Sequence, residues 1–230
     1  PWGMGLLDLP PEIRLQIYDY LPDFSPGRNE TVGPNVRLTP ALCRAGSRVL
    51  REEALPLYAK TSSFIIQTDD NFNRVDAWLQ ALAAGDALSK VQSLQLSRHW
   101  KIKQPSRWQG HVGFYVRVHL HDKTWQCTAG TYPFANDTRG MRLESVELLC
   151  SIVRQRLGQL GGLSRSDVEF IVEAMDIVAS HPVSTFDSEQ SEDGRRRRRD
   201  MYTTMERHLM ALCSQSSNGR ALGKESLHSP

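Results

Sequence analysis

Apolar residues recur along this chain at two spacings, and each spacing predicts an element. Ile13, Ile17, Tyr20 and Leu21 follow one another at helical intervals behind Leu9-Pro10-Pro11-Glu12. Proline is tolerated in a first helical turn and Glu12 suits its positive end, so a helix starts there and stops at Pro22. Asp23 to Pro40 is rich in Pro, Gly, Asn and Ser and reads as a loop. A second helical pattern runs from Thr39 or Pro40 to Tyr58 through Leu42, Ala45, Val49, Ala54 and Leu57, with Pro56 expected to kink or restart it near Ala54. Phe64 to Gln67 reads as a strand, Asp69 or Asp70 caps a helix through Ala83, and Val91, Leu94 and Leu96 mark another strand.

The spacing then changes to two. Val112, Phe114, Val116, Val118 and Leu120 alternate with Gly113, Tyr115, Arg117, His119 and His121, and Trp125, Cys127 and Ala129 alternate in a return strand beyond Asp122-Lys123. That pattern predicts an antiparallel hairpin with one packed face and one wet face. Helical spacing returns with Leu143, Val146, Leu149, Val153, Leu157 and Leu160, closed by Gly161-Gly162. A further stripe follows in Val168, Ile171, Val172, Met175 and Val178, with Ser166 and Glu169 spaced as a capping box.

Residues 184–199 are acidic, poor in apolar residues and end in five arginines, a composition that predicts disorder. The expected organisation is a helical module over residues 1–62, an α+β domain over 63–183 containing the hairpin 111–133, a disordered linker 184–199, a helix over 200–213 and a disordered tail 214–230.

Composition alters this picture in one place. Lys and Arg number 28 against 26 Asp and Glu, but Arg195, Arg196, Arg197, Arg198 and Arg199 account for five of them. The remainder is mildly acidic, without a global pull towards nucleic acid or membrane, and no apolar run reaches the ~18 residues of a membrane span. Cys43, Cys127, Cys150 and Cys213 are widely separated and read as small buried hydrophobes in a reducing compartment. No secretory leader pattern opens the chain, so the sequons at Asn29 and Asn136 read as turn chemistry, and an intracellular protein, cytoplasmic or nuclear, is expected.

The motifs of catalysis are missing. Cys127 points to the core by its alternation with Trp125, and there is no Gly-x-Ser-x-Gly elbow and no glycine-rich phosphate loop. His119 and His121, with His111 nearby, have a spacing that metal sites use but no convergent carboxylate or thiol, so they are expected to be solvated histidines. The reading is of a non-enzyme with no catalytic residue, metal or cofactor. The arginine run is a candidate import signal or anion contact, and no aromatic residues interleave with it for base stacking. Ser188 and Ser191 are candidate phosphorylation sites beside it.

Leu9-Pro10-Pro11-Glu12-Ile13-Arg14, Ile17-Tyr18 and Tyr20-Leu21-Pro22 resemble the start of an F-box, and Leu42-Cys43-Arg44 with Arg51-Glu52-Glu53-Ala54-Leu55-Pro56-Leu57-Tyr58 resembles the continuation in fungal F-box-like proteins. Glu12-Ile13-Arg14 is also similar to the fungal domain named for two Glu-x-Arg motifs. The resemblance covers about residues 6 to 100 and implies an F-box-like helical hairpin; with the period-two hairpin and the later helices, the expected fold is α+β, that helical hairpin followed by a small antiparallel sheet packed with helices. The resemblance further implies binding of a Skp-type adaptor through Leu9, Pro10, Ile13, Ile17 and Leu21, making the chain a substrate receptor of a cullin-type ubiquitin ligase. The substrate protein is not named by the sequence, and residues 91–134 with the later helices are the region expected to hold it. The rival reading is a nuclear scaffold or regulatory protein that uses the hairpin structurally and the arginine run for import or RNA contact.

Overall fold

In a computed structural model, the described residues are 5–32, 39–44, 46–68, 72–100, 113–132, 141–158, 161–181 and 192–225. They form six α-helices and a five-stranded sheet with interspersed 3-10 turns, an α+β fold. Helix α1 spans Pro11–Asp19, α2 Arg48–Thr61, α3 Phe72–Ala81, α4 Met141–Leu157, α5 Arg165–Ser180 and α6 Glu192–Glu225. The strands are β1 (Arg28–Val32), β2 (Ser62–Gln67), β3 (Ser93–His99), β4 (Gly113–His121) and β5 (Thr124–Tyr132), in spatial order β1-β2-β3-β4-β5.

The chain divides into two compact units. The first holds residues 1–96, 117–125 and 160–165, and the second holds 97–116, 126–159 and 166–230.

In the first unit α2 starts at Ser47, whose side chain accepts from the Leu50 N–H, and runs without a break through Pro56. The helix does not restart near Ala54. Leu50, Ala54, Leu55, Tyr58 and Ala59 are buried on both sides of the proline, and this packing offsets the roughly 3 kcal/mol an internal proline costs. The N-terminal end of the expected helix is instead a separate 3-10 turn, Leu42–Arg44.

β1 was not expected at all, since it falls within the supposed loop. It pairs in parallel with β2, from Arg28 opposite Ser62 to Val32 opposite Ile66. The sheet is therefore mixed rather than antiparallel, as α2 supplies the crossover that parallel neighbours require. No linker marks the expected boundary at 62/63, because Ser62 both caps α2 and opens β2. A row of rings forms the interior: Tyr18 on Phe24, Phe24 on Tyr58, Tyr58 on Phe64 and Phe64 on Trp78, with centroids 5.8, 6.5, 5.5 and 5.1 Å apart. Each step is an offset or edge contact of the favourable kind.

The hairpin follows its alternation. Phe114, Val116, Val118, Trp125 and Cys127 are buried, and Asp122 and Lys123 turn the chain at φ 48° and 64°. Two left-handed residues give the type I′ turn that matches strand twist. Leu120 N–H donates to the Gln92 carbonyl at 2.8 Å and Arg117 reaches Gln95, so β4 runs antiparallel to β3. Residues 111, 112 and 133 of the expected hairpin lie outside the described residues.

In the second unit α5 buries the anticipated Val168, Ile171, Val172, Met175 and Val178, although it begins at Arg165 and so places Ser166 inside the first turn rather than at the cap. α4 packs against α6, which contributes Met205, Leu209 and Leu212 to the core. α6 corrects the expected disorder at both of its ends. It begins at Glu192, takes in all five arginines and continues to Glu225. Arginine is a good helix former, and Glu192 and Asp193 in the first turn suit the helix dipole and lie four positions before Arg196 and Arg197. Residues 184–190, with Ser188, and Ser191 lie outside the described residues. No helix among the described residues is long and apolar enough to cross a membrane.

Candidate functional site: the outward face of the first helix

The residues α1 turns inward are polar. Pro10 caps it in an extended conformation, Pro11 occupies its first position and Glu12 its first turn, so the local start is the one the sequence encodes. Its buried members are Arg14 and Tyr18, one turn apart. Arg14 Nε donates to Glu53 Oε2 of α2 at 2.9 Å and Arg14 Nη2 to Glu53 Oε1, a two-pronged ion pair. A third bond runs from Arg14 Nη1 to the Leu9 carbonyl, tying down the segment before the helix. Tyr18 Oη donates to Glu53 Oε2 at 3.2 Å.

The Arg14 guanidinium holds the Glu53 carboxyl below the usual carboxylate range, and that carboxylate in turn raises Arg14. Burial, then the nearby Glu53 charge, pushes the Tyr18 hydroxyl up. Planar matching of guanidinium to carboxylate fixes orientation as well as energy. The clamp thus sets which way α1 faces.

One flank is apolar and largely open, while Glu12, Gln16 and Asp19 stand opposite the buried pair. Ile13 is 41% exposed and Tyr20 89%, and Ile17 between them is half-buried. The three stand at i, i+4 and i+7 and form one stripe. Leu7 at 52% and Leu15 at 40% are also open, as is Val49 of α2 at 47%. Of the residues expected to contact an adaptor, Leu9, Ile17 and Leu21 are half-buried and Pro10 and Ile13 are exposed. Sequence reasoning did not include Leu7, Tyr20 or Val49 in that set, and it missed the clamp. Arg14 and Tyr18 at i and i+4 were the available signal for an inward polar pair.

A polar cavity of about 190 Å³ is lined by Asp23, Arg28, Glu30 and Tyr58 among others, but Arg28 already bridges Asp23 and Glu30. His119 and His121 are exposed on β4, with His121 Nδ1 3.1 Å from the Asp122 carboxylate. Among the described residues no group of three or more His, Cys, Asp or Glu is placed to hold a metal ion. His111 lies outside them. Arg195, Arg196, Arg197 and Arg199 are exposed near the start of α6. Neither a family model, nor a curated protein, nor a solved structure matches this chain.

Proposed function

We propose that this protein is a non-enzymatic interaction module of F-box-like type, docking through the outward face of α1 on a Skp-type adaptor and serving as a substrate receptor of a cullin-based ubiquitin ligase. The observation that supports this reading is the inversion of α1, which buries Arg14 and Tyr18 while leaving Ile13 and Tyr20 exposed and Ile17 only half-buried. A helix whose apolar stripe lies largely outside its own core presents the i, i+4, i+7 anchors that a helix-binding groove takes. Apolar side chains left in water gain free energy only when a partner covers them.

The test is binding of a purified Skp-type adaptor by calorimetry, with the Ile13→Asp, Ile17→Asp double variant as control. Wild type is expected to bind, and the variant to lose binding while keeping its circular dichroism. No heat and no capture with wild type would remove the ligase reading.

A second role, nuclear import through the arginine run, is supported by the exposure of Arg195, Arg196, Arg197 and Arg199. An unchanged nuclear distribution after replacing Arg195 to Arg199 with Ser would dismiss it.

A further inference from the structure

We infer that Cys127 and Cys150 form an oxidisable dithiol, at which a hydroperoxide converts two thiols into a disulfide joining β5 to α4. The strand alternation that buries Trp125 also turns Cys127 inward, and Cys150 lies on the buried stripe of α4 with Val146, Leu149 and Val153. The Cys150 thiol donates to the Cys127 carbonyl at 3.1 Å. Arg154, one turn further along α4, donates Nη2 to the same carbonyl at 3.2 Å and reaches Cys150 Sγ at 3.8 Å. The Cys150 sulfur is thus held against the backbone of Cys127, 23 positions away in sequence, with one guanidinium over both.

The protonation states fit an attacking and a resolving sulfur. The neighbouring Cys127 side chain, then the Arg154 charge, draws Cys150 below the ordinary thiol value against desolvation and the opposing Glu147 carboxylate. The neighbouring Cys150 side chain, with burial, pushes Cys127 well up, so it stays a thiol. The other two cysteines are built the opposite way. Burial raises Cys43 to about 12 and also raises Cys213, although Cys213 is the more exposed of the two. Thiolate character and exposure therefore point to different residues, which makes the inference testable.

In the first step the Cys150 thiolate attacks one peroxide oxygen. The S–O bond forms, the O–O bond breaks, and the departing alkoxide takes the proton Cys150 released and leaves as an alcohol. In the second step Cys127 sulfur attacks Cys150 sulfur. The S–S bond forms, the S–O bond breaks, and hydroxide leaves with the Cys127 proton as water. Two thiols are oxidised by two electrons and one hydroperoxide is reduced. Cys127 and Cys150 are 4% and 8% exposed, so the reaction suits a small peroxide and is slow with a bulky thiol reagent.

The experiment treats the reduced full chain with hydrogen peroxide, blocks remaining thiols with iodoacetamide and maps the peptides. The expected result is a cross-linked Cys127–Cys150 peptide lighter by about 2 Da, with Cys43 and Cys213 alkylated. In Cys127→Ser the sulfenic acid is expected to persist on Cys150 and be trapped by dimedone. Arg154 is a positioning residue, so Arg154→Gln should move the pH profile of Cys150 alkylation upward and slow it about tenfold at neutral pH, a change of about one pH unit. First oxidation at Cys213 or Cys43, or a wild-type chain that reaches Cys150 sulfinic acid without the cross-link, would overturn the inference. The wild-type map decides this even where a variant folds poorly.

Discussion

Removing one oxygen atom from α1 tests the clamp that orients it. In Tyr18→Phe the ring remains stacked on Phe24, with centroids 5.8 Å apart, and only the hydroxyl bonded to Glu53 at 3.2 Å is lost. A hydrogen bond to a charged group contributes about 1.5–3 kcal/mol. This one is longer than the ~2.7–2.8 Å usual for O–H···O, which places it at the low end. The Glu53 side chain retains 19% of its exposure, so water partly replaces the donor and the expected loss is about 1 kcal/mol. In a chain of this size that is a fall of about 2–4 °C in Tm, read from urea and thermal unfolding by circular dichroism. Tyr18→Ala also removes a ring that is 0% exposed and should cost about 3–5 kcal/mol. The pH dependence gives a second check. Glu53 has a folded value below its unfolded one, so its contribution is present above the ordinary value of ~4.3 and is lost as pH falls through the lower folded value. The gap between wild type and Tyr18→Phe should narrow over that acid range. Equal urea midpoints at neutral pH, or a gap that persists unchanged into acid, would refute the clamp.

Three further outcomes are expected. Tyr20→Ala, at a position 89% exposed, should change stability by less than about 0.5 kcal/mol yet weaken adaptor binding at least about tenfold in calorimetry. Gly162→Ala would bring a Cβ to 2.5 Å from the Ser89 carbonyl oxygen; backbone on both sides must shift, and urea unfolding should show a loss of about 1–3 kcal/mol. Lys123→Gly, which relieves a left-handed residue at φ 64° and makes an Asp-Gly turn, should raise the urea midpoint by the equivalent of about 0.5–1 kcal/mol.

The elements that could be read from the sequence are those where hydrophobicity and geometry agree. The β4–β5 hairpin was visible because each strand buries one face, and α5 because its buried residues keep helical spacing. β1 was hidden because Arg-Asn-Glu-Thr-Val buries only Val32; its strand character comes from pairing with β2 rather than from its own side chains. α1 was located correctly, with Ile13 and Ile17 expected to meet a partner, but its inward polar pair was not seen. A carboxylate 39 positions away draws Arg14 in, and beyond the i, i+4 spacing of Arg14 and Tyr18 no local pattern carries that information. The same holds for Cys127 and Cys150, whose adjacency depends on how α4 lies against β5. The start of α6 was misread because a run of like charge was taken as unable to fold, while acidic first-turn residues and packing further along the helix support it.

Carrying Arg195 to Arg199 on a helix has a geometric result. Successive residues of an α-helix are turned by about 100°, so the exposed Arg195, Arg196, Arg197 and Arg199 spread over more than half of its circumference and their charge forms an open collar rather than a stripe. A flat anionic sheet laid alongside meets about half of such a collar at once. A ligand that neutralises every guanidinium must curl around the rod or unwind its opening turns, and tight binding there would register as a loss of helical signal or as a wrapped complex.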